Sequence, residues 1–242
     1  MSGFFKNIKI SIRILMALAL PVAGFLVLSV VSVSQKQQFS KQVDSLENLA
    51  RLAPTISALV HEMQKERGAS AGFISSGGKK FTVKLPAQRK VTNSKKTDFD
   101  SAITAFDAAP YGATLVDKIA TARKALTELT AKRAAISKLQ ISVPKMAGYY
   151  TPTIGKLLVI VEEMAVLSSD ATLTKAIAAY TSFLQGKERA GIERAMGAAG
   201  FSSGKFKPVI YRKFIGLLAQ QNTFLGRFAI FSTTEQKAFL KA

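Results

Sequence analysis

Apolar positions recur three and four residues apart along nearly the whole chain, and no stretch alternates apolar and polar residues as a half-buried strand would. The pattern predicts an all-α protein. Its first run, residues 14–35 (ILMALALPVAGFLVLSVVSVSQ), contains no charged residue. At 1.5 Å per residue such a helix covers the roughly 30 Å hydrocarbon core of a bilayer. Lys6, Lys9 and Arg13 precede it, so the positive-inside rule puts residues 1–13 in the cytoplasm and everything after 35 outside. The rival is a cleaved signal peptide with Ser32-Val33-Ser34 as a small-x-small site. The run is longer than the roughly 7–15 apolar residues of a signal core, so an uncleaved transmembrane anchor is the expectation.

Residues 36–53 are polar and helix-compatible and read as a connecting helix. Pro54 suits the first turn of a new helix. Ile56, Leu59, Val60, Met63, Arg67, Ser70 and Ile74 share one face of it, and Ser75-Ser76-Gly77-Gly78 is a stop signal. Further helices are expected at 85–108, stopped by Pro110 and Gly112, and at 113–139, where Leu115, Ile119, Ala122, Leu126, Leu129 and Ile136 form a stripe. Ser142-Val143-Pro144 opens a second half with helices near 144–166 (bent at Pro152), 170–198 and 207–231, and a Gly/Ser/Lys loop at 200–208. Thr233 caps a last amphipathic segment that simply stops, the expected mark of a truncated chain. Residues 54–242 are thus expected to form two packed helical bundles.

Composition narrows the chemistry. The absence of cysteine excludes disulfides, thiolate metal sites and a Cys nucleophile, and a single histidine, His61, excludes a multi-His metal centre. His61 sits about 120° from the apolar stripe and is expected at solvent. Gly77-Gly78-Lys79-Lys80 lacks the spacing and preceding strand of a phosphate-binding loop. No enzyme, metal or cofactor is expected. A net charge of +19 calls for an anionic partner. With residues 36–242 outside the cytoplasm, nucleic acid is not expected to be that partner.

Two phrases stand out: QKERGASAG at 64–72 and QGKERAGIERA at 185–195. At 100° per residue, Arg67 falls on the apolar stripe of its helix. If Tyr180, Leu184 and Gly191 mark the buried line of the second, Lys187 and Arg194 lie within about 40° of it and Arg189 points away. A guanidinium on a buried face cannot shed its proton and must be paired. One pairing is internal, with Glu62, Glu66 or Glu193. The other is an anion shared by Arg67 and Arg194, with the small residues Gly68, Ala69, Ser70, Gly72, Ala190 and Gly191 leaving it space.

LVHEMQKERGASAG at 59–72, AQRKVT at 87–92 and YTSFLQGKERAGIERA at 180–195 together resemble the motifs of the nitrate- and nitrite-sensing domain of bacterial receptors. The resemblance covers about 50–235. It implies an all-helical domain of two bundles with an arginine-lined anion site between them. Carried over by motif, the site arginines are Arg67 and Arg194, with Arg89, Ser70 and Lys187 as secondary contacts. Asn93 departs from the family's usual Asp beside Arg89. The resemblance, with the anchor, implies a chemotaxis-type membrane receptor. It would have an extracytoplasmic sensor, the bilayer as partner through 14–35, a homodimeric assembly, and nitrate or nitrite as ligand. The alternatives are a receptor for another small anion such as an organic acid, and an anchored binder of anionic polymer or lipid through exposed lysines.

Overall fold

The computed structural model describes residues 9–167, 170–202, 206 and 208–241, without the side chains of 13, 16, 17, 20, 38–46, 198–202, 239 and 241. Only helices, turns and bends occur among the described residues, as the periodicity predicts. They are α1 (Ile10–Ser75), α2 (Lys84–Ala105), a 3-10 turn (Ala109–Tyr111), α3 (Ala113–Thr127), α4 (Leu129–Ser137), α5 (Val143–Leu167), α6 (Ala171–Ser202), α7 (Pro208–Phe231) and α8 (Thr234–Lys241). The chain divides into two compact units, Met1–Glu47 and Asn48–Ala242.

In the first unit, the described side chains of Leu18, Val22, Phe25, Leu26 and Leu28 are exposed. Among the described residues no helix is long and apolar enough to cross a membrane. The expected transmembrane anchor at 14–35 is corrected accordingly. Residues 1–8 of the expected cytoplasmic segment, and the side chains of Arg13, Met16, Ala17 and Leu20, lie outside the described set.

In the second unit, α1 continues through Pro54 instead of starting there. An internal proline removes one backbone hydrogen bond and crowds the preceding turn, at a cost of about 3 kcal/mol. Leu49, Leu52, Ile56 and Leu59 flank it, each at most 3% exposed. Burying each contributes about 1.5–3 kcal/mol, which outweighs the proline. Those residues open a core that continues through Phe99 of α2, Leu115 of α3, Ile136 of α4, Tyr150, Ile154 and Leu158 of α5, and Leu184 of α6. The stripe expected over 113–139 is buried, but its helix is divided in two at Glu128, which caps α3 and opens α4.

Glycine ends α1 as its sequence signals. Gly77, at φ +60°, donates to the Ile74 carbonyl (3.0 Å), and Gly78 to that of Phe73 (2.9 Å), the paired bonds of a Schellman cap. The same pair closes α4, where Leu139 donates to Ile136 (3.0 Å) and Gln140 to Ala135 (2.9 Å). Leu139 takes the left-handed position there (φ +54°), one that favours glycine. Thr233 starts α8 as expected, in a capping box: its backbone N–H donates to Gln236 Oε1 (2.9 Å) and its hydroxyl accepts from the Gln236 backbone N–H (3.3 Å).

After the α1 cap the chain folds back so that the Phe81 ring lies on Gly72, where a Cβ would fall 2.2 Å from it. Gly72→Ala should therefore expel that ring and destabilise the protein by about 1–3 kcal/mol, read as a lowered urea midpoint with unchanged slope.

Candidate functional site

Two consecutive turns of α1 carry His61, Glu62, Gln64, Lys65, Glu66 and Arg67, and at 100° per residue these radiate towards different neighbours. Arg67, 7% exposed, faces α6 as its place on the apolar stripe predicts. Its partner there is Glu188, 2% exposed and absent from the carboxylates the sequence offered. Arg67 donates from Nη1 to Glu188 Oε1 (2.5 Å) and from Nη2 to Oε2 (3.1 Å), a two-pronged pair. Its Nη1 also donates to Thr151 Oγ1 of α5 (2.9 Å), and Gln64 Nε2 donates to Glu188 Oε2 (2.8 Å). Gly191, one turn past Glu188, has its missing Cβ position 3.1 Å from Arg67 Nη2. Two residues of the second phrase, Glu188 and Gly191, thus flank one guanidinium.

Arg194 is exposed. The buried side of α6 runs through Ile177, Leu184 and Glu188, not through Tyr180, and Arg194 is turned about 120° from Glu188. Glu188 and Gly191 are therefore the residues of the second phrase that meet Arg67. Lys187 Nζ donates to His61 Nδ1 (2.8 Å), tying α6 to the exposed edge of α1. Burial, and then the neighbouring Lys187 charge, hold the His61 pKa below its ordinary value; burial likewise lowers that of Lys187. Arg189 lies over the Phe224 ring of α7 (4.8 Å) and donates to Gln185 and to Gln220 (3.3 Å).

One residue before Arg67, Glu66 is fully buried and turned to the opposite neighbours. Arg133 of α4 grips it with Nε on Oε1 and Nη2 on Oε2, both at 2.7 Å, and the Tyr150 hydroxyl of α5 donates to Oε1 (2.7 Å). Arg133 Nη1 donates to Asn93 Oδ1 (2.5 Å), so the asparagine that departs from the family's aspartate has a use. Arg89 Nε stands 4.0 Å from Glu66 Oε1 and makes no hydrogen bond, while its terminal nitrogens donate to Ser137 Oγ (2.8 Å) and the Arg133 carbonyl (3.2 Å). Ser70 is buried, and its hydroxyl has no hydrogen-bond partner among the described residues. Glu62 takes Lys65 (2.9 Å) and Gln88 of α2 (2.6 Å).

Burial alone raises a carboxyl pKa, but the Arg133 guanidinium and the Tyr150 hydroxyl outweigh it at Glu66 and hold its pKa below the ordinary 4.5. Tyr150 is pushed well above the usual phenol range by burial and by the Glu66 charge. The sequence missed Glu188, Arg133, Tyr150 and Thr151. Glu188 and Glu66 were visible in the two phrases beside their arginines, but only the helix packing says which carboxylate meets which guanidinium.

A family described as nitrate and nitrite sensing matches residues 58–242. The nitrate regulatory protein of Klebsiella oxytoca is 33% identical over 199 residues, which is 82% of this chain and 50% of that protein. The solved structure of the NasR transcription antiterminator superposes with a TM-score of 0.79 at 32% identity, over 82% of this chain and 54% of that one. The chain thus spans about half the length of the proteins it matches.

These likenesses are to regulators rather than enzymes. They also overturn expectations drawn from the N-terminal run. A chemotaxis-type membrane receptor, a signal relayed through a membrane helix, an extracytoplasmic location and the bilayer as partner are replaced by likeness to a regulatory protein and an antiterminator, with no membrane-crossing helix among the described residues. The exclusion of nucleic acid falls with the location it rested on, since one likeness is to a transcription antiterminator.

Because the Glu66 pKa is lowered on folding, the stability it contributes is complete above about pH 4.5 and is lost as pH falls through the folded value. Glu66→Gln should cost about 3–5 kcal/mol at neutral pH by removing the buried charge that the partly buried Arg133 is paired with. It should also flatten the acid limb of a stability-versus-pH curve measured by urea unfolding.

Proposed function

Because the chain belongs to the nitrate- and nitrite-sensing family, we propose that residues 54–242 bind nitrate or nitrite through Arg67 and Arg194 and convert occupancy into a change in helix packing. The support is twofold. Both arginine phrases fall inside the matched region, and Arg67 is held where α1, α5 and α6 meet. On this reading the two bundles expected from the sequence share α1, with Arg67 on the side that α5 and α6 cover. Lys187, Arg89 and Ser70 are supporting residues: Lys187 raises the local positive potential, and Arg89 and Ser70 stand on the Glu66 side.

The energetics favour two arginines over one. A charge-assisted hydrogen bond contributes about 1.5–3 kcal/mol, so one guanidinium fork gives roughly 3–6. Immobilising a small ion costs at least about 4 kcal/mol. A single arginine therefore barely holds the ion, whereas two forks leave a surplus corresponding to millimolar-to-micromolar affinity. Permanently charged, planar guanidinium suits a flat oxyanion with oxygens at its edges better than an ammonium does. Regulatory outputs of the longer relatives are not carried over; the sensing step is what this chain is proposed to perform.

Nitrate at a hundredfold excess over its Kd should stabilise the fold by about 2.7 kcal/mol, a rise of roughly 5–10 °C in Tm. Sodium chloride at equal ionic strength should not. Arg67→Ala should abolish the nitrate-specific rise, and Arg194→Ala should cut affinity at least tenfold while leaving the apo Tm nearly unchanged, since Arg194 is exposed. Equal shifts with both salts, or a full nitrate shift in the double variant, would refute the reading.

A further inference from the structure

We infer that Glu188 is a built-in stand-in for the ligand: its carboxylate occupies the seat of the anion on Arg67, and nitrate binds by displacing it. This rests on the nitrate reading above and names the atoms of the seat. Arg67 presents two in-plane donors, and a carboxylate fills them with two in-plane oxygens. An edge of nitrate or nitrite offers the same planar pair of oxygens sharing one negative charge. With Glu188 in place, the guanidinium is neutralised in a buried site and has no net attraction left for a second anion. A ligand that binds Arg67 must therefore replace the carboxylate instead of joining it.

The surroundings suit the exchange. Gln64 Nε2 already donates to Glu188 Oε2 and would donate to a ligand oxygen in the same position. Thr151 accepts from Arg67 through Oγ1, which leaves its own O–H free to donate. Gly191 keeps the outer edge of Nη2 open, where a Cβ would come within 3.1 Å. The exchange also gives Arg194 its role. While Glu188 holds Arg67, α6 is tethered to α1 at residue 188. Once an anion replaces it, a ligand oxygen turned away from Arg67 becomes a partner for Arg194, six residues and about 9 Å further along α6. The tether thus passes from one point of α6 to another, a difference between bound and free states that an anion joining an unchanged pair would not create.

The test is calorimetric titration of nitrate, in buffer free of other small anions, into the full chain and its Glu188→Gln and Glu188→Asp variants, each checked for helicity and cooperative melting. Glutamine keeps the shape but removes the competing charge. It should tighten nitrate binding at least tenfold while lowering the apo Tm; aspartate, one methylene too short to hold both prongs, should fall between. If the wild-type chain binds nitrate and the folded variants bind it equally or more weakly, the stand-in is wrong and the nitrate reading survives. If none of the three binds nitrate, the nitrate reading itself falls and the stand-in with it. Should both variants fail to fold, a crystal of the wild-type chain saturated with nitrate decides. Glu188 off Arg67 supports the inference, and an intact Arg67–Glu188 pair overturns it.

Discussion

Two arginine–glutamate pairs, set back to back on one helix, organise the interior of this protein. Glu66 and Arg67 are neighbours in sequence, so they project about 100° apart from α1. Glu66 takes an arginine from α4 and a hydroxyl from α5; Arg67 takes a glutamate from α6 and a hydroxyl from α5. Neither charge can be left alone, because an unpaired buried ion costs several kcal/mol. The apolar stripe brings the helices together, but many rotations of a greasy helix bury similar area. The ionic pairs accept very few, since each needs two oxygens and two N–H groups in one plane. Rotational register of α1, α4, α5 and α6 is thereby specified jointly.

The two pairs are not equivalent. The Glu66–Arg133 pair is the more fully partnered: Tyr150 adds a third donor to the carboxylate and Asn93 accepts from the guanidinium. It reads as framework. The Arg67–Glu188 pair has a glycine at its edge and, among the described residues, two neutral hydrogen-bonding neighbours: Gln64, which donates to Glu188 and could serve another oxygen as well, and Thr151, which accepts from Arg67. Replacing a carboxylate with an anion of the same planar form leaves every donor satisfied. The same buried chemistry thus gives one rigid joint and one exchangeable joint a single residue apart.

The helices were legible because their periodicity is strong: the stripe Ile56–Leu59–Val60–Met63–Arg67 and that from Leu115 to Ile136 are buried, and the Gly77-Gly78 stop is a Schellman cap. Pro54 misled because proline is a helix-start signal only when packing does not override it, and four buried aliphatic neighbours do. Arg194 misled for a different reason. The second phrase has too many small residues to mark a buried line, and the choice of Tyr180 as its reference rotated the helix away from the Ile177–Leu184–Glu188 side that packs inward. Pairing partners such as Glu188 and Arg133 stand 121 and 67 residues from their mates, and nothing in local sequence encodes which of several helices will face them. The N-terminal run misled most: hydropathy measures transfer into an apolar phase and does not say which apolar phase a segment meets.

Charge composition explains why an internal carboxylate would be useful. The chain holds 34 Lys and Arg against 15 Asp and Glu, so its field attracts small anions without regard to kind. An open arginine in such a field would carry chloride much of the time, and a sensor built that way would report ionic strength. A tethered carboxylate on the guanidinium sets a threshold. A spherical halide brings one acceptor atom where the fork and its neighbours meet two oxygens, so it repays less of the loss of Glu188, whereas a flat oxyanion matches the seat atom for atom. Selectivity then arises from what must be displaced, and the surplus of positive charge outside serves only to raise the local supply of anions to a site that judges their shape.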